Sequence, residues 1–251
     1  MKIDVALLPG QRFDPERSVC VVVDVLRASS SIVTLLERGA THVVAAKDTN
    51  EARQLHQRLP DHLLCGEEHG LPPEGFDYGN SPSEFSRLDL TGKPVILATS
   101  NGTRILAALA DAPVLLVGCL LNRTAVAEAA VRLARERGLD VTIVCSAAYG
   151  GSVFVLEDVL GAAAIVDAAL RLSDPPEALD AARFARDAFE VASRDLPAAV
   201  ASAYHARELV EAGLGEDVAY CARLDVSGVA PVVERGEDGV LRIEAKRLPA
   251  T

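Results

Sequence analysis

The sequence predicts an α/β fold, layered α/β/α around a mostly parallel sheet with a C-terminal antiparallel addition, on three observations. Apolar runs rich in β-branched residues end, one after another, in polar loops that open helices. Strand and helix patterns alternate from residue 3 to about residue 170 with no low-complexity linker, as βαβ units do. Hydrophobic residues make up 49% of the 251 but aromatics only 4%, so the core is built from Val, Leu, Ile and Ala, as where helices pack on a parallel sheet.

The first strong element is Val19-Cys-Val-Val-Val-Asp24-Val-Leu-Arg27-Ala-Ser29-Ser30-Ser31. Its apolar run reads as a strand buried on both faces, and an acid at its carboxyl end lies where open α/β sheets place their ligands. Ser29 to Ser31 can cap a helix through Ile32 to Arg38 that stops at Gly39. The construction recurs at Val95–Ala98 before Thr99-Ser-Asn101-Gly102-Thr103-Arg104 and at Val114–Val117 before Asn122-Arg123-Thr124. It recurs again at Val141–Cys145 before Ser146 and the helix that begins at Glu157-Asp158. Leu63–Gly66, leading to Glu67-Glu68-His69, is a less regular case. In a parallel sheet all these loops emerge on one edge, so one polar rim is expected.

Asp174-Pro175-Pro176 is the clearest break, and the chain reads as a single domain over 1–251 or as two α/β lobes parting at 174–176. Two amphipathic helices are expected beyond it, at 177–189 and 198–212. From Asp217 to Pro249 the pattern shortens to strands at 218–224, 229–233 and 240–245, an antiparallel addition to the sheet or a small second lobe.

A formal net charge of −11 argues against nucleic acid or an anionic membrane as partner, since both need a basic footprint. No stretch reaches the apolar length of a membrane span, and the start Met1-Lys2-Ile3-Asp4 lacks a signal-peptide core, so a cytoplasmic protein is expected. A homodimer is as open as a monomer. The five cysteines form no CxxC pair and read as buried reduced thiols.

The rim offers acids (Asp24, Glu67, Glu68, Asp77, Glu157, Asp158), cations (Arg27, Arg104, Arg123) and hydroxyl or amide groups (Ser29 to Ser31, Asn80, Ser81, Thr99 to Thr103, Asn122). Acids with hydroxyls and no histidine cluster suit a hard cation such as Mg²⁺, and arginines beside helix N-termini suit phosphate. Together they describe metal-assisted phosphoryl transfer onto or from a small anionic substrate. Each residue also has a plainer reading. A strand-end Asp is often only a helix cap, Glu157 and Asp158 can merely complement a helix dipole, and only one of Glu67 and Glu68 can point inward from an extended segment. Asp24-Val25-Leu26 lacks the second Asp of a haloacid-dehalogenase motif, so Asp24 is better assigned to a metal than to nucleophilic attack.

Asp24-Val-Leu-Arg27-Ala-Ser-Ser-Ser31, Gly66-Glu67, Gly75-Phe-Asp77-Tyr-Gly79-Asn80-Ser81-Pro82, Thr99-Ser-Asn101-Gly102-Thr103, Glu157-Asp158 and the segment Asp217 to Asp225 together resemble, in order, the 2-phosphosulfolactate phosphatase family (ComB type). Where the family generally has threonines, this chain has Ser29 to Ser31 and Ser100, which keeps the hydroxyl chemistry. The resemblance implies an α/β fold with layered helices and a Mg²⁺-dependent phosphatase that converts (2R)-2-phospho-3-sulfolactate to 3-sulfolactate, a step toward coenzyme M. It implies Asp24, Glu67 and Asp158 as metal ligands, with Arg27 as a further catalytic residue. Ser29, Ser30, Asn80, Ser81, Asn101, Gly102, Thr103 and Arg104 are the implied substrate-binding set. A phosphatase for another phosphorylated hydroxy acid, and a non-catalytic receptor for a small anion, are the competing expectations.

Overall fold

The alternation of strands and helices resolves, in a computed structural model that describes residues 1–245, into one ten-stranded sheet with helices packed around it. The elements run β1 (Lys2–Ala6), β2 (Ser18–Val23), α1 (Ala28–Glu37), β3 (Val43–Ala46), α2 (Thr49–Arg58), β4 (Leu63–Gly66), α3 (Pro82–Phe85), β5 (Val95–Ala98) and α4 (Gly102–Ala108). They continue as β6 (Val114–Gly118), α5 (Arg123–Arg137), β7 (Asp140–Cys145), α6 (Leu156–Leu170), β8 (Glu177–Ala178) and α7 (Asp180–Ala192). The chain closes with α8 (Leu196–Ala201), α9 (Tyr204–Glu211), α10 (Gly215–Cys221), β9 (Pro231–Arg235) and β10 (Leu241–Ala245).

Strand β2 shows why the sheet is covered on both sides. Val19, Val21 and Val23 join one core cluster with α5 and α6, while Cys20 and Val22 join the opposite cluster with α1. The period-2 alternation of a strand thus feeds two cores from one apolar run. All five cysteines are buried and unpaired, as expected, and burial raises the Cys20 thiol to about 12, so thiolate chemistry is suppressed.

The strand order is β4-β5-β3-β10-β9-β6-β2-β7-β1-β8. Within β4-β5-β3 and within β6-β2-β7-β1-β8 every pairing is parallel, but β10 and β9 join the two sets through antiparallel pairings. The C-terminal hairpin therefore lies in the middle of the sheet, and the two parallel sets run in opposite senses along the ladder. A single parallel edge, as the sequence suggests, is not how the loops converge. Typical twist of about 20–25° per neighbouring pair would accumulate to roughly 100–125° over the five steps between β5 and β2, enough to offset much of the reversal.

Three further elements differ from expectation. The segment 218–224, expected as a strand, lies largely in α10, because Val218, Cys221 and Ala222 are buried at helical spacing. The expected helix at 198–212 is split into α8 and α9 at Ala203, whose backbone is extended. At 177–189 the first two residues pair with β1 as β8 before α7 begins. The part of the C-terminal pattern at 246–249 lies outside the described residues.

Candidate active site

The loops after β2, β4, β5 and β7 meet, and each junction has a named bond. Glu67, just past β4, accepts from Ser100 N–H at 2.6 Å and from Gly70 N–H at 2.8 Å, tying the β4 and β5 loops together. Asn101 Oδ1 accepts from Gly150 N–H at 3.1 Å, joining the β5 loop to the β7 loop. At Gly102 a Cβ would fall 2.5 Å from the Ala28 Cβ and 2.8 Å from Asp24 Oδ2, so only glycine lets α4 start this close to the end of β2.

Besides Glu67, three carboxylates are buried at this junction: Asp24, Glu157 and Asp158. Asp24 Oδ1 accepts from Ala28 N–H at 3.2 Å at the start of α1. Asp158, in the first turn of α6, is well engaged: it accepts from Val25 N–H at 2.8 Å, Ala147 N–H at 3.0 Å and the Ser146 hydroxyl at 3.1 Å. Its neighbour Glu157 is the opposite case, 1% exposed with Oε2 meeting no hydrogen-bond partner among the described residues. Burial pushes all three acids above the usual carboxylate range. For Asp158 the charges of Asp24 and Glu157 add to it, and Asp24 also raises Glu157. Against this, Asp24 is drawn down by the Ala28 N–H, the Ser146 hydroxyl and the charge of His205, and His205 also draws down Glu157. Like charges this close in a dry site cannot all ionise without a cation.

Beside the acids lies a clamp of opposite character. Arg27 is 5% exposed, and donates from Nη1 to Asp217 Oδ2 at 2.9 Å and from Nη2 to the Gly70 carbonyl at 3.0 Å. Asp217, at the start of α10, uses its other oxygen to accept from the Ser81 hydroxyl at 2.7 Å and Ser83 N–H at 3.0 Å. Asn80 is buried next to this clamp in sequence, with its Oδ1 unpartnered among the described residues.

The remaining expected site residues fall into four groups. Ser29 Oγ accepts from Asp24 N–H, Ser30 Oγ donates to the Val25 carbonyl, and Thr103 Oγ1 bonds both the N–H and the carbonyl of Thr99, so these hydroxyls brace the backbone around the site. Arg104 is exposed at the rim, its Nε 3.4 Å from the Lys47 carbonyl. Glu68 is exposed where Glu67 is buried, and Asp77 accepts from Leu64 N–H to anchor its loop. Arg123 is held by Asp167 and Asp225, and Asn122 by the carbonyls of Val117 and Val229. Sequence reasoning missed Ser146, His205 and the role of Asp217. Ser146 and Asp217 stood next to strand-end or family-like segments, whereas His205 is flanked by no signal.

Among the described residues no three His, Cys, Asp or Glu side chains stand together in a geometry that could hold a metal ion. The site nevertheless fits Mg²⁺, because Mg²⁺ is commonly bound by one or two carboxylates with water and substrate oxygens completing its shell. The orphaned Glu157 oxygen and the uncompensated charge shared with Asp24 are the observation that supports this. Asp158, with three donors, holds the Val25 and Ala147 backbone.

Comparison with known proteins gives a consistent result. The model of the 2-phosphosulpholactate phosphatase family matches residues 6–236. A protein of Pseudothermotoga lettingae named probable 2-phosphosulfolactate phosphatase is 40% identical over 234 residues, 92% of this chain and 95% of its own. Proteins with the same name from Carboxydothermus hydrogenoformans (35% identical; 99% of each chain) and Deinococcus radiodurans (36% identical; 98% of this chain, 100% of its own) align over nearly the whole length.

Proposed function

The chain belongs to the 2-phosphosulpholactate phosphatase family of phosphoric monoester hydrolases, and from that premise we propose that it hydrolyses (2R)-2-phospho-3-sulfolactate to 3-sulfolactate and phosphate in a Mg²⁺-dependent reaction. The observation that carries the metal dependence is the buried Glu157 carboxylate, whose Oε2 meets no partner among the described residues, within the charge of Asp24. A receptor that only held an anion would gain nothing from buried acids without a counter-charge.

In this reading Asp24 and Glu157 hold the cation, which when bound supplies a positive charge opposite the phosphoryl oxygens. Asp158 fixes the backbone of Val25 and so the direction in which Asp24 points. Arg27, locked by Asp217, presents its remaining guanidinium N–H groups to an oxyanion in one orientation, with little rotamer entropy left to lose on binding. Asn80 offers its amide from a buried position, and Arg104 at the outer rim suits the sulfonate or carboxylate of a substrate that carries more than one anionic group. The cytoplasm suits a chain with five unpaired thiols, and no helix among the described residues is long and apolar enough to cross a membrane. There the sulfolactate released would be available to a route toward coenzyme M.

The test is phosphate release from 2-phospho-3-sulfolactate by protein stripped with a chelator, followed by addition of single metals. Mg²⁺ or Mn²⁺ is expected to restore turnover and Zn²⁺ to do so poorly, since the ligands are oxygens. Undiminished turnover in the stripped protein contradicts the metal role, and no turnover with any metal contradicts the substrate.

A further inference from the structure

The carboxyl ends of β4 and β5 lead to Glu67 and Ser100 at the candidate site, and the opposite ends of β3 and β4 carry a different pair of groups. His42 immediately precedes β3 and His62 immediately precedes β4. Val43 and Leu63 both pair in parallel with Val95, so the two histidines lie at one level on either side of Pro94. Their half-buried rings meet edge to face, with centroids 5.2 Å apart and planes at 73°. Nε2 of one stands 3.2 Å from Nε2 of the other.

Two neutral imidazoles set nitrogen to nitrogen can share one proton in an ordinary hydrogen bond. Three features suit a shared metal ion as well. The first is the separation: two nitrogens each about 2.0–2.1 Å from one ion lie about 2.9 Å apart at a right-angle bite and about 3.3 Å apart at a tetrahedral one. The second is the state of the other ring nitrogens. His42 Nδ1 is 3.2 Å from the Thr41 hydroxyl, which as acceptor holds a proton on Nδ1 and leaves Nε2 as a lone pair. His62 Nδ1 is buried and meets no partner among the described residues, so Nε2 carries that ring's polar engagement. The third is charge state, since burial lowers the pKa of both rings and favours the neutral form that binds metal. The charged and titratable groups around the pair are Arg242, itself held through both nitrogens by Asp238, together with Glu244, Asp61 and His56.

We propose that His42 and His62 form a two-imidazole chelate for a borderline transition-metal dication such as Cu²⁺, Ni²⁺ or Zn²⁺, separate from the oxygen-lined candidate site. Imidazole selects these ions over Mg²⁺. The ion loses two of its waters and bonds to both Nε2 atoms. Each ring keeps one proton, on Nδ1 in both, the His62 proton passing there from Nε2 through solvent, so neither ring changes charge. No third His, Cys, Asp or Glu among the described residues joins them in ligating geometry, so water completes the shell and the ion exchanges readily. Bound there, it staples the segments that lead into β3 and β4 on either side of β5.

The experiment is Cu²⁺ binding to the full-length protein in excess Mg²⁺, measured by equilibrium dialysis and by electron paramagnetic resonance of the bound ion. Its readout is binding, so its outcome is independent of the phosphatase reading. Wild type is expected to hold one Cu²⁺ whose nitrogen hyperfine structure counts two imidazoles. H42Q and H62Q should each weaken that binding by at least about tenfold and reduce the count to one. H69Q, which removes an exposed histidine of the β4 loop, should change the affinity by less than about threefold. A count below two in the wild type, or wild-type affinity in both H42Q and H62Q, overturns the proposal. So does an equal loss in H69Q, which would show ions scattered over exposed imidazoles. If either variant fails to fold, proton resonances of the wild type decide: substoichiometric Cu²⁺ broadens the His42 and His62 rings first if the proposal holds, and the His69 or His205 ring first if it does not.

Discussion

Two buried charge clusters lie side by side at the junction of loops, and they differ in one respect. In the Arg27 clamp each charge has a counter-charge and its hydrogen bonds are shared out among Asp217, Ser81, Ser83 and Gly70. In the acid cluster Asp24, Glu157 and Asp158 are all carboxyl groups, all lifted above the ordinary carboxylate range by burial, and one oxygen of Glu157 meets no donor. The first arrangement is complete without a ligand and fixes geometry. In the second no acid pairs with a basic side chain of the clamp, and in the proposed reading a cation completes it.

The largest effect is expected where the complete cluster is broken. D217A leaves the buried Arg27 guanidinium without its counter-charge, and stability should fall by about 3–5 kcal/mol in denaturant titration. A loss under about 1 kcal/mol would show that Arg27 finds solvent or another partner and that the clamp holds nothing. Next is G102A, whose Cβ must displace Ala28 or Asp24; overpacking of this kind typically costs about 1–3 kcal/mol. Turnover should fall with it, because the displaced group carries the site.

Breaking the incomplete cluster should act in the other direction on stability. An acid whose pKa is higher in the folded than in the unfolded chain binds extra protons when folded, so stability declines as pH rises from the ordinary carboxylate range through the raised one. Metal-free wild type is therefore expected to lose stability as pH rises above the ordinary carboxylate range, and E157Q to lose less of it. The same substitution should cut turnover by more than about 100-fold, beyond what a merely orienting residue costs. Thermal melts across that pH range, set against initial rates, check both halves. A flatter wild-type curve than that of E157Q would contradict the first half.

The smallest effect belongs to the rim. R104A is expected to leave stability unchanged and to raise KM for phosphosulfolactate a few-fold more than for a singly charged aryl phosphate, as loss of one exposed ionic contact should. Equal changes on both substrates would assign Arg104 to the phosphate or to the Lys47 loop.

Much of this was readable in the sequence where the signal is local. The run Val19 to Val23 announces a doubly buried strand, Asp24 the acid at its loop end, and the burial of Glu67 rather than Glu68 follows from the two-residue period of extended chain. What depends on distant partners was not readable. Asp217 meets Arg27 across 190 positions, so nothing near Asp217 reveals the pair. Glu157 and Asp158 look alike in sequence, and only the Val25 and Ala147 amides, which fill Asp158, separate their roles. The C-terminal hairpin was recognisable as antiparallel, but its place between β3 and β6 is decided by pairings with strands some 120 to 200 residues earlier. Val218 to Leu224 misleads for the same reason: its Val, Ala and Tyr suit a strand until a helix face is offered something to pack against.

The central claim, that a divalent cation completes Asp24 and Glu157, is tested most directly by Mn²⁺ binding to the metal-free protein, followed by electron paramagnetic resonance of the free ion. Wild type is expected to bind one Mn²⁺ that Mg²⁺ displaces. D24N and E157Q should each weaken that binding by more than about tenfold, while E67Q, whose carboxylate is engaged by Ser100 and Gly70, should change it by less than about threefold. Unchanged Mn²⁺ affinity in both D24N and E157Q would contradict the claim.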